Sequence, residues 1–443
     1  MARIAVIGAG MGALAAAARL ATGGHRVTVY ERSATYGGGV SRYERDGFVF
    51  DTGPGLLHLP AVYRDLFIKT GRETLESCVS LRQVDPAIRH VFDDGTSVSL
   101  PNASRAGVIA ALDDALGPGA GTRWADLLGR AREVWEATRR PLLEDALAAD
   151  TAPLGRDPYP APPVRRGLFR RGAPTLAEVA ARELSDPRLA AMLEHYAVAY
   201  GFDPAIVPAS ATVLPYFEHT FGTWYVDGGM RALAEAVYAR CVARRVDFRF
   251  GADVAEVVEK DGRAAGLLLV DGTRVEADTV VSGAPPAPVA PTAGGGGRVV
   301  ICLALAGPRP DDAPHRTVIH AAGVTVLRPD DPSTRPDDAH EAVTLHVPLP
   351  LAGGTEAALR AAEAAVPGLR DRLLWHHVHP SSAPPGPALA GASGTFLLPP
   401  NPAPLPGLYR VGPWAHPGGT LPHTGMSAAI VADLIAGGPG GSR

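Results

Sequence analysis

An α/β fold is predicted by three observations: its parallel sheet begins at the N-terminus and is interrupted by an inserted α+β domain. First, residues 1–31 read strand, tight turn, helix, strand. Arg3–Ile7 is a β-rich apolar run, Gly8–Gly12 a turn, Ala13–Thr22 an Ala/Leu-rich helix closed by Gly23-Gly24, and Arg26–Tyr30 a second strand. Second, short strand patterns return late in the chain, at Asp247–Phe250, Val254–Glu259, Ala265–Val270, Thr279–Ser282 and Gly407–Val411. Asp271-Gly272 makes a hairpin turn, and Thr424–Ile435 a last helix. Third, the chain between has another character: residues 60–225 mix helix with irregular chain, and residues 298–400 mix strands with one helix over Glu356–Ala365. A chain of 443 residues is also too long for one small core.

The first turn carries chemistry. It reads Gly8-Ala9-Gly10-Met11-Gly12-Ala13. Gly8 permits the sharp strand-to-helix turn, Gly10 lets a pyrophosphate approach the backbone, and Ala13 is small enough for close helix–strand packing. Phosphates then meet unpaired N–H groups at the positive end of a helix. Glu31 lies 21 residues beyond Gly10 at the end of the next strand, the place of a carboxylate that accepts from ribose hydroxyls. The turn and Glu31 together predict an adenine dinucleotide. Glu31 argues against NADP, whose 2′-phosphate it would repel.

Composition excludes other classes. With 46% apolar and 20% charged residues and a net charge of −4, nothing global suggests nucleic acid. Cys78, Cys241 and Cys302 are scattered and form no metal or disulfide pattern, which fits a reducing compartment. The apolar run Ile4–Ile7 is too short for a signal peptide, and no stretch approaches the ~20 apolar residues of a membrane span. A cytoplasmic location is expected. Residues 151–174, rich in Pro, Gly and Arg, read as a loop or linker. There Arg165, Arg166, Arg170 and Arg171 flank Leu168-Phe169, a patch suited to a solvated loop or to peripheral membrane contact.

Four spaced segments carry a family resemblance. They read ERSATYGGG at Glu31–Gly39, YERDGFVFDTGPG at Tyr43–Gly55, TWYVDGGMRAL at Thr223–Leu233, and GLYRVGPWAHPGGTLPHTGMSAAIVADLI at Gly407–Ile435. In this order they resemble the phytoene desaturase (carotenoid dehydrogenase) family of flavoproteins, related to carotenoid isomerases and more distantly to flavin amine oxidases. The resemblance is specific over residues 1–75, 185–285 and 405–436, and thin over 85–180 and 290–400. It implies FAD, held in a Rossmann-like, GR2-type domain assembled from residues 1–75, 226–290 and 405–443. Residues 76–225 and 291–404 would form the substrate domain. It places Gly37-Gly38 beside the pyrophosphate, Val254 at the adenine edge, and Gly53-Pro54 at one edge of the flavin, with Arg32 and Gly39 also expected among the cofactor-binding residues. Gly412, Gly419, Gly425 and Met426 fall in the segment passing the ring, where a helix dipole would favour a reduced, anionic flavin. Many members have Arg where this chain has Gly39; Arg42 substitutes only if the loop folds back.

The same resemblance implies dehydrogenation of an extended apolar polyene, with hydride passing to flavin N5. The residues name no base. His416 and His423 flank the flavin segment, and Glu218-His219 precedes the aromatic stretch Phe221–Tyr225; each reads as well as a positioning or structural group. His376, His377 and His379 lack the Cys or carboxylate partners of a metal site. A redox-neutral isomerase, an enzyme tailoring or cyclising a polyene metabolite, and a non-catalytic FAD-binding protein remain open alternatives.

Overall fold

The computed structural model describes residues 1–161, 164–166, 170–286, 297–350, 353–381 and 384–437. A five-stranded sheet stands in the order Asp247–Phe250, Arg26–Glu31, Arg3–Ile7, Thr279–Ser282, Leu408–Arg410, with every neighbouring pair parallel. Such a sheet must be covered on both faces. Ile4, Val6, Val27, Val29 and Val281 face helices Met11–Thr22, Met230–Ala243 and Leu421–Gly437, while Ala5 and Val280 face the meander of Val254–Lys260, Arg263–Leu269 and Arg274–Glu276. Ala15 to Ala18 are all 0% exposed. Their small side chains let the first helix sit between the sheet and three further helices.

A second, seven-stranded sheet runs Leu373–Ser381, Arg298–Ala306, His340–Pro348, Val324–Leu327, Arg316–Ile319, Ile88–Val91, Ser97–Leu100. All its pairs are antiparallel except Arg316–Ile319 with Ile88–Val91. Its second strand, Arg298–Ala306, alternates cleanly. Ile301, Leu303 and Leu305 pack on helix Gly354–Ala362, and Val300, Cys302 and Ala304 pack on Phe48 and Phe50 of the hairpin Arg42–Arg45/Phe48–Asp51. Helices Arg105–Leu116, Ala120–Arg139, Leu176–Glu183, Pro187–Ala199 and Val213–Phe221 gather around buried Trp124. Their starts are written in the sequence. Ser104 and Asp186 cap two of them, and Thr175 with Glu178 forms a capping box on a third.

Some bounds differ from expectation. The last helix begins at Leu421 rather than Thr424, because Pro422 in a first turn gives up an N–H that has no helical partner anyway. The helix expected over Glu356–Ala365 spans Gly354–Ala362. Residues 151–174 are not all loop: they include the antiparallel pair Val164–Arg166 and Arg170–Gly172. The side chains of Arg165, Arg166, Arg170 and Arg171 lie outside the described residues.

Candidate active site

In chain order the parallel sheet runs third, second, first, fourth, fifth, so the winding reverses beside strand Arg3–Ile7. Ligands of open α/β sheets bind at this reversal, outside the carboxyl ends of the strands. A cavity of 1350 Å³ opens there. Its wall takes in the strand ends Ile7-Gly8, Tyr30-Glu31, Gly283 and Val411-Gly412.

Four glycine segments close around this point by backbone contact. A Cβ on Gly12 would meet Gly412 Cα at 2.7 Å, one on Gly38 would meet Gly10 Cα at 2.9 Å, and one on Gly53 would meet the Gly39 carbonyl at 2.0 Å. The Gly37 N–H donates to the Ala9 carbonyl at 2.8 Å, tying the second segment to the first turn. Gly8 adopts φ +86°, a conformation open to glycine at little cost. Gly10 differs: its Cβ would find only Gly38 Cα at 4.0 Å, an ordinary contact, so its missing side chain leaves room for a ligand. The Glu31 carboxylate accepts from the Ala9 N–H at 2.6 Å and from the Ser33 N–H and hydroxyl, each at 2.8 Å. It faces the cavity already oriented.

Of the expected cofactor residues, Gly8, Gly10, Met11, Gly12, Ala13, Glu31, Arg32, Gly37, Gly38, Gly39, Gly53, Pro54, Val254, Gly412 and Gly419 all line this cavity. Gly425 and Met426 are not among the lining residues; a Cβ on Gly425 would meet Val62 Cγ1 at 2.6 Å, so that glycine serves helix packing. Arg42 pairs with Glu44 and Glu235 and stays off the cavity wall. Arg231, inside a quoted motif yet not singled out, holds the glycine loop instead. It donates to the Tyr36 carbonyl and Thr35 Oγ1 and lies 4.1 Å over the Tyr36 ring.

The cavity continues under the seven-stranded sheet, past Leu327, Phe217, Phe202 and the start of the last helix at Leu421. One charged pair stands in this part. Glu218 accepts from Arg316 at 2.6 Å, with His58 Nε2 3.5 Å from its other oxygen. Burial opposes ionisation of Glu218, but Arg316 and then His58 hold its carboxyl down to about 2. His195 also lines the cavity and is pushed by burial down to about 3, leaving it neutral. His416 and His423 are not among the lining residues. His416 is fully buried and donates through Nε2 to the Asp145 carbonyl at 3.0 Å; His423 hydrogen-bonds Thr420 Oγ1, and burial lowers it to about 3. His377 stacks on Tyr43, and among the described residues no group of three or more His, Cys, Asp or Glu is placed to hold a metal. Arg316 and His58 were not anticipated; Arg316 falls in the stretch where the family resemblance is thin.

A glycine cradle at the sheet's reversal, a carboxylate at the ribose position and a helix N-terminus farther along the same cavity fit a dinucleotide with a second ring system. They define an FAD-binding α/β protein. The chain belongs to the flavin containing amine oxidoreductase family, whose model matches residues 14–302. It is 32% identical over 280 residues to a 4,4'-diapolycopene oxygenase of Methylomonas sp, covering 63% of this chain and 55% of that protein. It is 32% identical over 283 residues to a zeta-carotene-forming phytoene desaturase of Myxococcus xanthus, covering 64% and 53%. The chain thus spans about half the length of the curated relatives it matches. Among solved structures, an oxidoreductase from Methanosarcina mazei superposes with a TM-score of 0.70 at 20% identity, covering 98% of this chain and 100% of that one. No helix among the described residues is long and apolar enough to cross a membrane.

Proposed function

We propose that this chain dehydrogenates an extended, apolar polyene of the carotenoid-precursor class. One observation carries the reading: the glycine cradle and the apolar chamber under the second sheet are parts of one cavity, so an elongated substrate and the reactive end of a dinucleotide can share it. The names of the relatives support the substrate class. When bound, FAD supplies a two-electron acceptor.

The chain's own residues bind, orient and exclude water. The turn at Gly8–Ala13, the loop Gly37–Gly39 and Glu31 would hold the adenosine and pyrophosphate; Val254 would meet the adenine edge, and Gly53-Pro54, Gly412 and Gly419 the flavin end. The positive end of helix Leu421–Gly437 favours negative charge at the cavity segment before it. Phe202, Phe217, Leu327 and Leu421 provide the apolar wall against which an allylic C–H is positioned. Glu218 stays ionised beside that wall, placed to stabilise positive charge on the substrate, while Arg316 keeps it in one orientation. Residues 1–75, 226–290 and 405–443 are proposed as the cofactor domain and the remainder as the substrate domain. Peripheral membrane contact through Arg165, Arg166, Arg170 and Arg171 belongs to the same proposal; neutralising all four should abolish liposome binding and leave turnover intact.

Anaerobic mixing of the FAD-loaded protein with phytoene tests the reading. Stoichiometric loss of flavin absorbance with a red-shifted product is expected. Isomerisation of the polyene without net bleaching, or no reaction with any polyene, would overturn it.

A further inference from the structure

Two arginines stand on the face of the seven-stranded sheet that looks into the cavity, and they are treated differently. Arg316 is answered by Glu218 at 2.6 Å and by the Ala87 carbonyl at 3.2 Å. Arg298 is not answered. It opens the strand Arg298–Ala306 and lines the cavity, yet among the described residues it has no ion pair, and its Nε is buried without a hydrogen-bond partner. Burial lowers its pKa, and no carboxylate among the described residues opposes that.

A second orphan lies beside it. Val300, two residues along and on the same face of the strand, is paired with His346 on one side and His379 on the other. Both histidines line the cavity, and His346 Nε2 is buried without a partner. Burial, then the charge of Arg298, pushes His346 down to about 3, so it is a neutral ring with one N–H to offer. A guanidinium has five N–H donors, no acceptor, and keeps its proton. Leaving such a charge half-buried without a partner is unfavourable, which points to a partner that arrives with the ligand. The position is near the protein surface. Neighbouring Gly297 packs on Leu349, which is 43% exposed, and both line the cavity. A long polyene inserted from this side leaves its end group at that place.

We propose that Arg298, assisted by His346, binds a carboxylate or other anionic oxygen at one end of the polyene, so that an acid-ended polyene binds more tightly than the plain hydrocarbon. This rests on the cavity being the polyene site. The shared chemistry is an anionic oxygen, and bound FAD is its other possible source.

The experiment compares all-trans-retinoic acid with its methyl ester, a neutral twin, by calorimetric titration of the oxidised, FAD-loaded protein. The acid should bind about ten- to a hundredfold more tightly, as a charge-assisted hydrogen bond to a poorly solvated group implies. Arg298→Gln should erase the preference without changing ester affinity, and Arg298→Lys should keep part of it. Equal binding of acid and ester by the unaltered protein overturns the proposal and needs no variant. Loss of FAD retention or a changed flavin spectrum in Arg298→Gln, with the acid preference intact, assigns the arginine to the cofactor and also overturns it. Flavin bleaching by phytoene without an acid preference sinks this inference alone, whereas absence of both polyene binding and bleaching sinks the proposed function with it.

Discussion

Gly10 and Gly12 belong to one motif and do different things. A methyl group on Gly12 would press into Gly412 Cα at 2.7 Å, backbone against backbone, whereas one on Gly10 would meet nothing closer than 4.0 Å. Gly10→Ala should therefore fold with an unchanged melting temperature and lose FAD, seen as a falling ratio of flavin to protein absorbance. Gly12→Ala should lose stability before cofactor is added; equal behaviour of the two would refute this division. Glu218 offers a second residue-scale test. Removing its charge strands Arg316 in the interior, so Glu218→Gln should cost about 3–5 kcal/mol in denaturant unfolding. The double variant Glu218→Leu/Arg316→Met should regain most of that. The carboxyl sits at about 2 in the folded state against an ordinary 4.5, so its stabilisation is complete above pH 4.5 and is lost as pH falls through about 2. At this scale the sequence was informative for the glycines, whose spacing follows from one turn. It was uninformative for Arg298 and Arg316, since an arginine in a strand pattern carries no sign of which face will be covered.

Elements here are fixed by what meets their ends. Helix Met230–Ala243 starts where both oxygens of Asp51 accept from the Met230 N–H, at 2.9 and 3.1 Å. Burial, only partly offset by those bonds, pushes the Asp51 carboxyl up to about 7. Between pH 3.8 and 7 the folded state then holds a proton that the unfolded chain has released, so stability falls as pH rises across that window. Asp51→Asn keeps an acceptor for the helix and removes the titration; thermal denaturation of the variant should lose this slope. The same helix presents Arg231 to the loop at Tyr36. Arg231→Met should weaken FAD binding about tenfold or more without a cofactor contact of its own, by releasing Gly37 from its place. Helix starts at Ser104, Thr175 and Asp186 were legible because capping is local. The Asp51 contact was not, because it joins residues 179 apart in the chain.

Over the whole molecule, the parallel sheet takes strands from residues 3–31, 247–282 and 408–410, so its folding waits for the last of them. A chain ending at residue 404 lacks strand Leu408–Arg410 and helix Leu421–Gly437, whose Ala428 and Val431 join the core of the first helix. It should yield no FAD-bound, cooperatively unfolding protein, as judged by calorimetry and flavin absorbance. Conversely, FAD at a thousandfold excess over its dissociation constant should stabilise the full chain by about 4 kcal/mol. By itself the sequence determined the opening strand–turn–helix–strand unit and the acidic residue at its end, and with them the expectation of a dinucleotide, since these depend on contacts within a short stretch. Only the tertiary structure decided that Gly12 meets Gly412, that Glu218 meets Arg316, and that Arg298 has no ion pair among the described residues. Each of those outcomes is set by which surfaces pack together, and packing between segments hundreds of residues apart leaves no periodic trace in either one.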